Sequence, residues 1–271
     1  MYSSNPILLR VRRFSRKSDQ ALLVPTYVNS SLDLAEFGGS STNLGKKRIR
    51  RAGPEPEVLN TISTGSSAYN YVPNNTMQLV VFDLDYTIWQ PEMYQIDGPP
   101  KLISVDEFQG KQKRKSQAPP RSVPLGATTI HQNKIATDRR GTPITVFDGA
   151  SHALSEINRM KKDWPLQVAI SSRTDEPSWA FQLMKWLVAS DGTPLSKCFD
   201  ENLIEISYMD KSKHFESLNR KTGIPFDQMA FFDNEYWNIK SVSSLGVKCY
   251  HTPDGMTKEA WIQALEDFNM M

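Results

Sequence analysis

From Met77 onward, short solid runs of apolar residues alternate with longer stretches in which apolar positions recur at helical spacing. The solid runs are residues 79–82, preceded by Gln78, and then 166–170, 203–206, 229–232 and 247–250. Continuous apolar runs of this length predict strands buried on both faces. The intervening stretches 150–162, 179–188, 214–222, 236–245 and 256–268 carry the 3.6-residue period of helices, with Asp148 as the N-cap of the first. Regular strand–helix alternation predicts an α/β fold, three-layered and Rossmann-like, with a central parallel sheet. Ligands of such sheets bind at the carboxyl ends of the strands.

Two parts of the chain lack this pattern. Residues 1–76 are rich in Ser, Asn and Gly without a sustained apolar period, and predict a disordered N-terminal extension. Residues 92–134 are Pro-rich, contain the run Lys111-Gln112-Lys113-Arg114-Lys115, and predict a disordered insertion within a domain spanning 77–271. The chain then re-enters the domain through 135–146, two short extended runs around a polar turn, which predicts a β-hairpin.

Charge sharpens the division. The formal net charge of +2 splits into ten Lys/Arg against five Asp/Glu in residues 1–76, and 22 against 25 in the remainder. The extension holds the acid-free basic stretch Leu8-Leu9-Arg10-Val11-Arg12-Arg13-Phe14-Ser15-Arg16-Lys17, which suits a mitochondrial targeting segment. It also holds Lys46-Lys47-Arg48-Ile49-Arg50-Arg51, which suits a nuclear import signal or an anionic-surface patch. The alternative for either run, and the favoured one, is a solvated basic tail. A cytoplasmic or nuclear location is expected, with a mitochondrial one left open. No apolar run approaches a membrane span, so no membrane partner is expected. Cys198 and Cys249 have neither metal-ligand nor redox-motif spacing, and the four histidines have no zinc spacing.

The chemistry concentrates at strand ends. Asp83-Leu84-Asp85-Tyr86-Thr87 places two acids two residues apart, directly after a buried strand. Close like charges in such a place are costly unless a cation or proton separates them. Magnesium meets that need, because it accepts a few carboxylate oxygens, waters and a phosphate. Asp233, at another strand end, can complete the site. One aspartate can attack phosphorus to give an aspartyl-phosphate, and the other can protonate the leaving oxygen and later take a proton from water. Ser172 and Arg173 can hold phosphate oxygens, and Lys211 can neutralise phosphoryl charge. Thr87 can cap the next turn or orient Asp83.

These residues resemble a known family. Phe82-Asp83-Leu84-Asp85-Tyr86-Thr87-Ile88-Trp89 is similar to the first motif of haloacid dehalogenase-like phosphatases, and its Tyr-Thr-x-Trp continuation to that of the magnesium-dependent phosphatase family. Ser171-Ser172-Arg173-Thr174 resembles the second motif, and Lys211, three residues before His214-Phe215, the third. Phe231-Phe232-Asp233-Asn234-Glu235 resembles the fourth. Asp138-Arg139-Arg140-Gly141 and Thr222-Gly223-Ile224-Pro225-Phe226 resemble further segments of the family.

The resemblance implies a metal-dependent, acid-type phosphoric monoester hydrolase. Asp83 would be its nucleophile and Asp85 its general acid/base. Mg2+ would be held by Asp83, by Asp85 through its backbone carbonyl, and by Asp233. Ser172, Arg173 and Lys211 would bind phosphate. The family commonly has a second Asp where this chain has Asn234.

No block of sequence has the size of a large cap domain, so an open site is expected, acting on phosphotyrosine-type or sugar-phosphate-type esters. The expected partner is a phosphorylated small molecule or a phosphotyrosine-type protein, acted on by a monomer, with nucleic acid not expected. Two rivals stay open at this point: a phosphoprotein phosphatase docked through the basic tail, and a degenerate phosphate- or nucleic-acid-binding module.

Overall fold

The computed structural model of the protein describes residues 76–113 and 122–271. The expected N-terminal extension, with both of its basic clusters, lies outside the described residues. In chain order the strands are β1 (Leu79–Phe82), β2 (Trp89–Gln90), β3 (Lys101–Ser104), β4 (Lys134–Thr137), β5 (Thr145–Val146), β6 (Gln167–Ser172), β7 (Ile204–Ile206), β8 (Met229–Asp233) and β9 (Lys248–His251). The helices are α1 (Val105–Lys113), α2 (Asp148–Met160), α3 (Pro177–Trp186), α4 (Leu195–Cys198), α5 (Lys211–Thr222), α6 (Tyr236–Ser243) and α7 (Lys258–Asp267).

The five apolar runs form one parallel sheet in the order β7-β6-β1-β8-β9. Alternate side chains point to opposite faces, so one strand serves two cores. Val80 and Phe82 join Val168, Ile170, Ala230 and Phe232 beneath α2, α3 and α7. Leu79 and Val81 join Ala169, Met229 and Phe231 beneath α5 and α6. Phe82, Phe232 and Tyr250 stack across three neighbouring strands, with ring centroids 5.2 and 4.9 Å apart. This is the three-layer α/β fold that the sequence pattern predicts.

Strand order decides where a ligand can bind. From β1 the chain steps outward through β6 and β7, then returns to the other side of β1 for β8 and β9. The order therefore reverses between β1 and β8, where open α/β sheets leave a crevice at their carboxyl edge. Register does the rest. Phe82 lies opposite both Ile170 and Phe232, so the next residues on the three strands, Asp83, Ser171 and Asp233, reach the edge at one level.

Three expectations need correction. The described part of the 92–134 insertion is ordered: β3 pairs antiparallel with β4, and α1 packs on them around Ile103, Phe108, Ala127 and Ile135. Four apolar residues spread over 33 positions show no period, yet they meet once the strands pair. The predicted hairpin exists at its turn, where Asp138 N donates to Thr142 O at 3.0 Å and Ile144 N to Ala136 O at 2.9 Å. Its two arms take other partners, β4 pairing with β3 and β5 with β2. Asp148 is not an N-cap: Phe147 holds that position, and Asp148 pairs with Lys258 at 2.7 Å.

Candidate active site

β1 ends in a loop that turns at Tyr86, whose φ of 54° is left-handed and uncommon for a side chain of this size. The Tyr86 ring packs edge-on against Phe147, with centroids 5.5 Å apart. Tyr86 N donates to Trp89 O at 2.9 Å, which closes the loop on itself. The closed loop holds Asp83 and Asp85 on the wall of one cavity of about 370 Å³, which also contains Ser172, Arg173, Lys211, Asn234 and Asn238.

The deepest part is a buried ionic cluster. Lys211 opens α5, and its Nζ lies 2.5 Å from Asp83 Oδ1, 3.0 Å from Asp233 Oδ2 and 2.5 Å from the Ser171 carbonyl. Lys211, Asp83 and Asp233 are all buried. Burial raises the Asp83 carboxyl against the pull of Lys211, and the neighbouring Asp233 and Asp85 raise it further. Burial alone would lower the Lys211 ammonium, but Asp83 and Asp233 outweigh it and hold it above its ordinary value.

Asp85 faces differently. Its Oδ1 accepts from Trp89 Nε1 at 2.9 Å, and burial raises its carboxyl against the hydrogen bonds of Trp89 and Thr174. The structure thus brings the carboxylates of Asp83 and Asp233 onto one cation, while the Asp85 side chain stands apart from them. Among the described residues no three His, Cys, Asp or Glu side chains group as metal ligands.

Ser172 is buried at the end of β6, and its Oγ accepts from Thr174 N at 3.3 Å. Arg173 is exposed on the cavity wall. Thr87 fills neither of its expected roles. Its Oγ1 accepts from Asn234 N at 3.1 Å, tying the β1 loop to the loop after β8.

Several residues of the site carry no sequence signal. Asn238 Nδ2 donates to both oxygens of Asp233, at 3.2 and 3.1 Å, and to Glu235 Oε2 at 3.1 Å. It lies in the first turn of α6, five positions after Asp233, where it reads as an ordinary helix residue. His214 is buried, and it hydrogen-bonds Ser171 Oγ through Nδ1 at 3.0 Å and Ser207 Oγ through Nε2 at 2.7 Å. Burial, then nearby Lys211, push its imidazole down to about 4, so it is neutral near pH 7. Trp89 is buried, and its bond to Asp85 has no sequence signature beyond their four-residue spacing. Glu92 and Tyr94 lie in the stretch predicted as an insertion.

Acids at adjacent strand ends, a serine and a buried lysine thus meet on the crevice of a parallel sheet. The acid phosphatase family model matches residues 75–271, and the chain belongs to that family of phosphatase hydrolases. It is 34% identical over 193 residues to human magnesium-dependent phosphatase 1, covering 70% of this chain and 86% of the relative. A HAD-like hydrolase superfamily protein of Schizosaccharomyces pombe is 26% identical over 171 residues, covering 62% and 81%. Among solved structures, a haloacid dehalogenase-like hydrolase of Xanthomonas campestris aligns at 14% identity with a TM-score of 0.40, over 71% of this chain and 96% of that one. No helix among the described residues is long and apolar enough to cross a membrane.

Proposed function

We propose that residues 77–271 form a single domain that hydrolyses phosphate monoesters with magnesium, through an aspartyl-phosphate on Asp83. The observation that carries this reading is the meeting of Asp83, Asp233 and Lys211 at the sheet's switch point. Two buried carboxylates there share a single cation, at 2.5 and 3.0 Å. A pair of carboxylates already gathered on an ammonium suits a hard divalent cation. Asp83, Asp233 and the Asp85 carbonyl would hold magnesium, which supplies positive charge for the phosphoryl oxygens.

The chain's own groups do the remainder. Asp83 Oδ attacks phosphorus as the ester oxygen leaves, and Asp85 donates the proton that oxygen needs. Asp85 then accepts a proton from the water that cleaves the acyl-phosphate. Trp89 Nε1 donates to Asp85 Oδ1 at 2.9 Å and so fixes the carboxyl that is to serve as acid and base. Its raised carboxyl suits an acid that must start protonated, so turnover falls as pH rises from mildly acidic values. Lys211, held by the Ser171 carbonyl, and Ser172 orient the phosphate, with Arg173 closing from the exposed side. Among the described residues no large cap covers the mouth, and exposed Tyr94 and Tyr208 stand on its wall. That openness favours phosphotyrosine-type or sugar-phosphate-type esters acted on by a single chain.

The test is p-nitrophenyl phosphate hydrolysis at pH 5.5 with magnesium, with EDTA, and with Asp83→Asn. Loss in EDTA, a fall of about a thousandfold in the variant, and a phosphoryl group trapped on Asp83 by rapid quench and mass spectrometry are expected. A folded, magnesium-supplied wild type without turnover would overturn the reading. So would a variant that keeps its rate.

A further inference from the structure

Outside the ionic cluster, the cavity wall is lopsided in charge. Its lining residues include Glu92, Asp175 and Glu235, against one cation, Arg173, that is not engaged at the sheet edge. The other lining cation, Lys211, is committed to Asp83, Asp233 and the Ser171 carbonyl. The three outer carboxylates come from three separate loops: Glu92 after β2, Asp175 after β6 and Glu235 after β8. None of them has an ion-pair partner among the described residues, and Glu235 has only the amide of Asn238, at 3.1 Å. Glu92 is half-buried, and its carboxyl is raised by burial and then by the fields of Asp85 and Glu235, so these charges are within reach of one another. Beside them stand the exposed rings of Tyr94 and Tyr208, which offer a substrate flat uncharged surface.

A phosphate monoester enters with its dianion toward Ser172, Lys211 and Arg173, and its carrier group is left at the mouth among these carboxylates. We infer that Glu92, Asp175 and Glu235 act as an electrostatic filter that rejects substrates bearing a second anionic group near the ester. The preferred substrates are phosphate monoesters on uncharged carriers; bisphosphates and carboxylate-bearing phosphates are disfavoured. This rests on the hydrolytic reading above and specifies its substrate class. The repulsion acts across a solvated mouth, so salt weakens it.

The experiment compares phenyl phosphate with 4-carboxyphenyl phosphate, which differ by one carboxylate at the far end of the ring. The expected wild-type preference in kcat/KM is about tenfold for the uncharged ester at low salt, shrinking to about threefold or less in 0.5 M NaCl, where the Debye length is near 4 Å. In the double variant Glu92→Gln/Asp175→Asn the preference falls at least threefold at low salt, while phenyl phosphate turnover stays within about threefold of wild type. The esters' intrinsic reactivities cancel when the wild-type ratio is compared with that of the double variant or with its own value in salt. A ratio that neither salt nor the double variant changes overturns the filter and leaves the hydrolytic reading standing. If neither ester turns over, the hydrolytic reading falls. The filter is then judged by calorimetry with phenylphosphonate and 4-carboxyphenylphosphonate, where equal affinity overturns it and a salt-sensitive preference supports it.

Discussion

Replacing Lys211 by Met keeps a stem of similar length and removes the ammonium, with its charge and its hydrogen-bond donors. The ammonium makes contacts of 2.5 Å to Asp83, 3.0 Å to Asp233 and 2.5 Å to the Ser171 carbonyl. Without it, carboxylates with relative exposures of 7% and 0% face each other with no counter-charge. Breaking a buried ion pair by deleting one partner costs about 3–5 kcal/mol, because the remaining charge stays desolvated. At about 2–4 °C per kcal/mol for a domain of this size, the melting temperature in EDTA should fall by about 6–20 °C. Magnesium can replace part of the lost charge. A cation at a hundred times its Kd stabilises the folded state by about 2.7 kcal/mol, so Lys211→Met should recover a good part of its loss and gain more from the metal than wild type does. Turnover should nevertheless stay at least a hundredfold down, since the phosphate has lost a preorganised positive partner. The assay is thermal melting of both proteins in EDTA and across a magnesium titration, with p-nitrophenyl phosphate hydrolysis alongside. A variant melting within about 2 °C of wild type in EDTA would refute the claim that Lys211 offsets the repulsion of this pair.

Three further outcomes are expected. Asn238→Leu removes the amide that spans both Asp233 oxygens, so half-maximal activity should need about ten times more magnesium, with kcat at saturation much less affected; an unchanged titration would count against that role. His214 titrates near 4 in the folded protein and near 6.5 when unfolded, so between those values the unfolded chain binds the extra proton. Stability should therefore fall as pH drops from 6.5 toward 4. Urea denaturation of His214→Gln should show a flatter dependence over that window, and equal slopes would contradict the assignment. Gly149→Ala would gain about 1 kcal/mol in an open helix, but here the new Cβ would lie 2.3 Å from the Met256 carbonyl oxygen. The sign should reverse to a loss of about 1–3 kcal/mol, read by denaturant midpoint.

The elements and their order were legible because their causes are local. A strand buried on both faces must be apolar at every position, and 79–82 and 229–232 are. A helix covering a sheet must repeat its apolar residues at 3.6, and α2 does so with Ala150, Ala153, Leu154 and Ile157. Asp83, Asp85 and Asp233 stand out as acids at the ends of such strands, where local chemistry alone makes them unusual.

What the tertiary structure decided depends on contacts between residues distant in the chain. Strand order and register set Asp83 level with Asp233, 150 positions away, and only then does a lysine reach both. The small β3–α1–β4 unit is invisible to periodicity because its stabilising contacts, Ile103 to Phe108 and Ile135, exist only after antiparallel pairing. Asn238, Trp89 and His214 hold their partners through side-chain geometry that no periodicity encodes. The charge of the cavity mouth likewise arises from three loops, each unremarkable in sequence, that the sheet's switch point brings to one opening.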